Sequence, residues 1–96
     1  MVILRALGYK EYIAFCLEGL GAAVATQTAI WAVHLWGAAR ALREAVGLAM
    51  PRVYRADYER MLAAMRSRLG EKAFATAWDE GRSMTPEQVL VEHKLV

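Results

Sequence analysis

Tyr12 to Val46, YIAFCLEGLGAAVATQTAIWAVHLWGAARALREAV, contains no proline, and its only charged residues are Glu18, Arg40, Arg43 and Glu44. Ile13, Leu17, Leu20 and Val24 recur at spacings of four, three and four, one face of a helix with 3.6 residues per turn. Trp31, Leu35, Ala38, Leu42 and Val46 continue with the same period, leaving Arg40, Arg43 and Glu44 on the opposite side. Gly19, Ala22 and Ala23 add a small-residue surface that admits another helix closely, each helical glycine costing up to about 1 kcal/mol relative to alanine. The interval Ala25–Ala29, ATQTA, is the one polar break, with Thr26 or Thr28 placed as an N-cap. It has neither Gly nor Pro, so two readings stay open. One continuous helix would be about 52 Å long, against about 32 Å for a compact domain of this size. That reading calls for a swapped dimer in which each chain supplies the half that the other lacks. A hairpin permits a monomer whose apolar N-terminal residues still seek a partner.

The flanks extend the helical pattern. Residues 1–8 read as the last turns of an apolar helix that Gly8 ends with a left-handed cap, and residues 9–47 as the helix pair. Gly47 caps the second helix and Pro51 prevents its return. In residues 53–96 the first helix carries a stripe of Tyr54, Tyr58, Met61, Leu62, Met65 and Leu69, stopped by Gly70. A short helix from Glu71 to about Glu80 presents Phe74 and Trp78 on its core side, and Gly81 ends it. Thr85, Pro86 and Gln88 then form a capping box with Met84 and Val89 as its hydrophobic staple, opening a helix to about His93 whose Leu90 folds back on the bundle.

The 96 residues fit one small domain, which buries roughly 60–65% of its unfolded surface and is marginal alone. A content of 57% hydrophobic residues excludes a disordered chain, and the excess of Ala, Leu, Arg and Glu over β-branched residues points to an all-α fold. A net charge of +2 is too weak a field to argue for nucleic acid or an anionic surface. The uncharged run Gly19–Ala39 is long enough to span a bilayer, but its threonines, Gln27, His34 and many alanines argue against a membrane helix. One cysteine, Cys16, read as a small buried hydrophobe, suits the cytoplasm, and the N-terminus lacks a signal-peptide pattern.

The runs CLEGLGAAVA, WGAARALREAVG and YRADYERMLAAMRSRLGEKAFATAWDEGRSMTPEQ resemble the C-terminal end of bacterial signal-transduction ATPases of the STAND type, from about Leu7 to Val91. The most specific part is LGEKAFATAWDEGRSMTPEQ. The resemblance implies tetratricopeptide-like hairpins closed by a short C-terminal capping helix, acting as a scaffold with no nucleotide site. It assigns Leu17, Leu20 and Gly21 to the first-helix signature of a repeat, and Ala32, Trp36 and Ala39 to the second. It also places Met1 inside the end of a preceding repeat helix, as in a segment of a longer array. Gly21 to Ala32 is eleven residues, one fewer than the usual spacing, and the glycine-containing turn is replaced by Gln27, Thr28 and Ala29.

No reaction is written in the remaining residues. Metal binding needs three or four ligands, and His34 and His93 have none at ligand spacing, so neither metal nor cofactor is expected. Cys16, His34 and Glu18 are the candidates if the chain is an enzyme, with no oxyanion-hole signature beside them. The residues expected to form packing, interface or pocket are Leu17, Leu20, Gly21, Trp31, Leu35, Trp36, Phe74 and Trp78. The expectation is a non-catalytic protein-interaction module, as a homodimer or with a helical partner. The alternative is a small enzyme or ligand binder with a pocket among Trp31, His34, Trp36 and Trp78 at an oligomer interface. The arginines of the third helix, Arg66 and Arg68 among them, would make phosphate contacts only in the absence of the acids interleaved with them.

Overall fold

A computed structural model of the chain describes the backbone of residues 2–92 and side chains from 10 to 91. Five helices follow in order: α1 (Val2–Val24), α2 (Ala29–Val46), α3 (Arg52–Leu69), α4 (Glu71–Arg82) and α5 (Pro86–Glu92). The described residues are helical apart from short connections, with no strand among them. The proposed extension of the last helix to His93 lies outside the described residues.

The chain bends at Ala25–Thr28, so α1 and α2 are an antiparallel hairpin and not one continuous rod. Side chains make this turn in place of glycine. The Val24 carbonyl accepts from the backbone N–H of Gln27 at 3.0 Å, that of Thr28 at 2.8 Å and the Thr28 hydroxyl at 3.2 Å. Thr28 thus stands at the N-cap position of α2 but spends its side chain on the end of α1, contrary to the expected cap. Arg68 of α3 donates Nη1 to the carbonyls of Ala25 and Thr26 at 3.0 and 3.1 Å, satisfying acceptors that a helix end leaves open. The molecule measures 43 × 31 × 20 Å, shorter than the continuous helix would be.

Helix α2 is the axis of the fold. Trp31 to Ala39 are nine consecutive buried residues, the mark of a helix covered on all sides. Ala14, Leu17 and Gly21 of α1 cover one side, and Phe74, Ala77 and Gly81 of α4 another. Val89 of α5 seals a third, fully buried against Trp31, whose indole Nε1 donates to the Val89 carbonyl at 2.7 Å. Met65, Met61 and Leu62 of α3 complete the cover.

Three glycines set the helix spacing. A Cβ on Gly21 would meet the Trp36 indole at 2.5 Å, one on Gly37 the Trp78 carbonyl at 2.7 Å, and one on Gly81 the His34 carbonyl at 2.5 Å. At the last two the obstacle is backbone, so α2 and α4 touch main chain to main chain. Gly81 therefore does not end α4, which continues to Arg82. The helix keeps a poor helix former because only glycine fits there. Gly8 likewise ends nothing, since α1 runs through it. Gly47 is a left-handed cap as expected, with φ of 72°. Its N–H reaches the Glu44 carbonyl and that of Leu48 the Arg43 carbonyl, a Schellman pair. Gly70, with φ of 89° and ψ of 152°, serves two helices at once. It donates to Arg66 and accepts from Phe74, both at 2.9 Å.

The capping box forms as read: the Thr85 N–H donates to Gln88 Oε1 at 2.9 Å and the Gln88 N–H to the Thr85 hydroxyl at 3.0 Å. Met84 packs with Val89, while Leu90 faces solvent, so Val89 and not Leu90 docks the helix. Gly19, Ala22 and Ala23 are exposed, and a Cβ on Gly19 would meet nothing within 4 Å. The small surface expected to admit another helix closely faces away from α2, whose own close approach uses Gly21 and Ala14. These glycines give opposite outcomes in urea denaturation. Gly81→Ala should cost roughly 2–3 kcal/mol by overpacking against backbone, while Gly19→Ala should stabilise by up to about 1 kcal/mol.

Candidate interaction surface

The catalytic candidates are placed apart. Cys16 is exposed on the outer face of α1 and is not the buried hydrophobe anticipated. His34, buried on α2, donates Nε2 to Glu80 Oε1 of α4 at 3.0 Å. Glu18 turns inward and takes Arg43 in a fork: Nε to Oε2 at 2.6 Å and Nη2 to Oε1 at 2.9 Å. Periodicity puts Arg43 on the polar side of α2, yet it is one of the buried residues of the fold, because Glu18, Glu11 at 3.9 Å and the Ala49 carbonyl at 3.4 Å surround its guanidinium. The hydrogen bond to Glu18, more than its charge, raises the Arg43 pKa, against the opposing effect of burial. Among the described residues no three His, Cys, Asp or Glu side chains gather where a metal ion would sit.

The tryptophans do not share a pocket. Trp31 packs with Ala14, Leu17, Leu35 and Val89 in one cluster. Trp36 packs with Ala32, Val33, Met65, Phe74 and Ala77 in another, with Trp78 at its edge. Trp36 Nε1 donates to the Glu18 carbonyl at 3.2 Å, which leaves its indole committed to the hairpin. Phe74 and Trp78 stack with centroids 6.1 Å apart, and the Arg66 guanidinium covers Phe74 at 4.7 Å. Arg66 also pairs with Glu71 at 3.2 Å. Arg66 and Arg68 are thus engaged within the fold.

A cleft of about 560 Å³ lies elsewhere, walled by Glu18, Arg40, Arg43, Leu48, Met50 and Tyr58 among others. Burial, and next the Glu18 carboxylate, push the Tyr58 phenol up to about 12, against the pull of Arg40 and Arg43. A phenol held neutral to that pH is no base near neutrality. At the cleft rim Glu44 accepts from Arg82 at 2.8 Å and Arg40 at 3.1 Å, and Arg82 foremost lowers its pKa. Arg40, Arg43 and Arg55 in this lining are matched by Glu18, Glu44 and Glu59, so no net charge is offered to an ion.

What remains open is the outer face of α1. Tyr12, Phe15, Cys16, Gly19, Ala22 and Ala23 are all exposed and fall on one side of α1, without a charge among them. Phe15 meets Tyr54 of α3 with ring centroids 5.6 Å apart, and Val53 beside Tyr54 is also exposed, so the apolar surface extends onto the start of α3. No helix of the described residues is long and apolar enough to cross a membrane. No family model, curated protein or solved structure matches the chain.

Sequence reasoning missed three residues. Gly37 carried a visible signal, a glycine in a breaker-free helix beside a tryptophan. Arg43 and Arg68 carried none, since an arginine on a polar side reads the same whether solvated or bound.

Two outcomes check the polar interior. Glu18→Ala should cost about 3 kcal/mol or more by leaving Arg43 buried without its partner, whereas Glu18→Gln with Arg43→Met should be much milder, both read by urea denaturation. The folded chain holds the Tyr58 proton above the ordinary value of 10. Its contribution to stability is therefore complete below pH 10 and lost as pH rises through about 12. In an absorbance titration at an ultraviolet phenolate band, Tyr58→Phe should remove the late component near that pH.

Proposed function

We propose that the chain is a non-catalytic helical module that works in the cytoplasm by docking the outer face of α1 on a protein surface. It resembles the closing hairpin and cap of the helical array in bacterial STAND-type regulators. The observation that carries the reading is the uncharged, exposed face from Tyr12 to Ala23 of α1, on the side of the helix away from α2. Support for the repeat resemblance comes from the signature positions: Leu17, Ala32, Trp36 and Ala39 are buried, and Gly21 receives the Trp36 ring. Leu20 is half-buried on the same side.

The reading as an enzyme or ligand binder has less behind it. Its pocket requires Trp31, His34, Trp36 and Trp78 around one space, whereas Trp31 lies in one cluster, Trp36 with Trp78 at its edge in another, and His34 bonds Glu80 outside both.

A photo-crosslinking side chain at position 23, introduced in growing bacterial cells, should give protein adducts on irradiation. The same group at Ala45, exposed on α2, should give few or none. Absence of adducts at 23, or equal yields at the two positions, removes α1 as the working surface.

A further inference from the structure

The first half of α3 stands off the hairpin beside it. Arg52 to Asp57 are all exposed, and Met65, in the second half, is the buried residue of the helix. Two contacts hold it in that place. Arg55 Nη2 donates to the Met50 carbonyl at 3.1 Å, tying the start of α3 to the loop before it, and Tyr54 sets its ring against Phe15 of α1. Arg55, Tyr58 and Glu59 form the α3 side of the cleft of about 560 Å³, with Glu18, Arg43, Leu48 and Met50 among its other walls. That volume lies within the roughly 300–1,000 Å³ of sites that hold small molecules.

Tyr58 brings an unused donor to this cleft. The residue is half-buried with its ring edge-on to Trp36 at 6.2 Å, and among the described residues its hydroxyl makes no hydrogen bond. Sheltered polar groups are nearly always paired. No side-chain polar atom of the described residues is both sealed from solvent and without a partner, so this hydroxyl is reachable from outside. Held protonated by burial and by Glu18, it can donate throughout the neutral range.

The charges say what kind of guest fits. Arg43 is taken by Glu18, and Arg40 by Glu44, which also holds Arg82. Arg55 and Glu59 are left, one of each sign and both exposed to water. An ion entering the cleft would lose hydration and find no excess of opposite charge to replace it. Leu48 and Met50 offer apolar wall, and methionine adapts its shape to what lies against it.

We propose that the cleft binds a small uncharged molecule with an apolar body and a carbonyl oxygen, the oxygen accepting from the Tyr58 hydroxyl and the body lying against Leu48 and Met50. The site is separate from the outer face of α1, since Glu18 turns inward from that helix, and separate from the tryptophans of the discarded pocket. It assigns binding and no reaction.

Acetanilide, an uncharged aromatic amide, is the probe, titrated up to its solubility into the isotope-labelled full chain and followed by two-dimensional NMR. Its shifts should saturate with a roughly millimolar Kd, as suits so small a molecule, and concentrate at Leu48, Met50, Tyr58 and the Arg43 Nε–H. N-ethylaniline lacks only the carbonyl oxygen and should bind more weakly. Phenylacetate, similar in size but anionic, should also bind more weakly. Tyr58→Phe should weaken acetanilide about threefold to tenfold, the worth of one hydrogen bond, and leave N-ethylaniline unchanged. Met50→Trp fills the cleft from the loop and should abolish the shifts with Tyr58 in place, which keeps the test decisive if Tyr58→Phe loosens the fold. Shifts that never saturate at the cleft, phenylacetate binding as well as acetanilide, or either substitution leaving acetanilide unaffected overturns the site.

Discussion

Main chain lies against main chain where α2 crosses α4, and the rest of the fold follows from that closeness. At Gly37 the nearest obstacle to a side chain is the Trp78 carbonyl, and at Gly81 it is the backbone of His34. Two glycines facing opposite ways across one crossing leave no side chain between the helices there, whereas axes stand about 8–10 Å apart when side chains intervene. With α4 seated so deeply, Phe74 and Ala77 reach the same cluster as Ala32 and Trp36, and α5 can close over Trp31 from the end of a short connection. A domain this small has little apolar material to spare, and close approach at α2 lets a modest number of side chains enclose one helix completely.

The second element of the architecture is the buried Glu18–Arg43 fork. Its contribution is positional more than energetic, because two desolvated charges recover in mutual attraction about what they lose in hydration. Glu18 on α1 and Arg43 near the end of α2 set the sliding register of the hairpin, and the Ala49 carbonyl ties the following loop to the same guanidinium. Trp36 adds a further link through the Glu18 carbonyl. A hairpin built only on alanine and leucine stripes could slip by a turn at little cost; with Glu18 and Arg43 inside, a slipped register leaves both charges buried without a partner.

Periodicity made the helices legible, and local chemistry made their ends legible. Leu17, Trp31, Leu35, Phe74 and Val89 are buried where the apolar spacing put them, and Gly47 and the Thr85–Gln88 box cap as their residue types demand. Glycine was ambiguous because it answers two needs, a positive φ or a missing side chain, and only tertiary contact separates them. Gly81 therefore read as a stop and proved to be a contact, whereas Gly70 is a stop with φ of 89°. The turn at Ala25–Thr28 was illegible for a related reason. Its stabilising groups are a threonine bonding backwards and an arginine from 42 residues along the chain, neither of which any local pattern records. The candidate surface was half legible. Gly19, Ala22 and Ala23 were recognised as a close-approach surface, but a single stripe of small residues does not say which helix it serves.

That last ambiguity concerns more than bookkeeping of faces. α1 has an inner face that satisfies α2 completely through Ala14, Leu17 and Gly21, so nothing in the monomer requires the opposite face to be free of charge. The solvent-facing sides of α3 and α4 carry Arg52, Arg55, Asp57, Glu59, Lys72 and Asp79, which shows what the chain does where a helix simply meets water. Against that internal standard α1 is the exception, with a charge-free strip from Tyr12 to Ala23 and aromatic rings at one end. A surface helix whose only role is to cover α2 gains solubility from any lysine or glutamate placed on that strip and loses nothing in packing. Keeping it apolar, and placing a glycine at its centre where no neighbour in the chain needs one, is what the proposed docking of α1 on a protein surface would require.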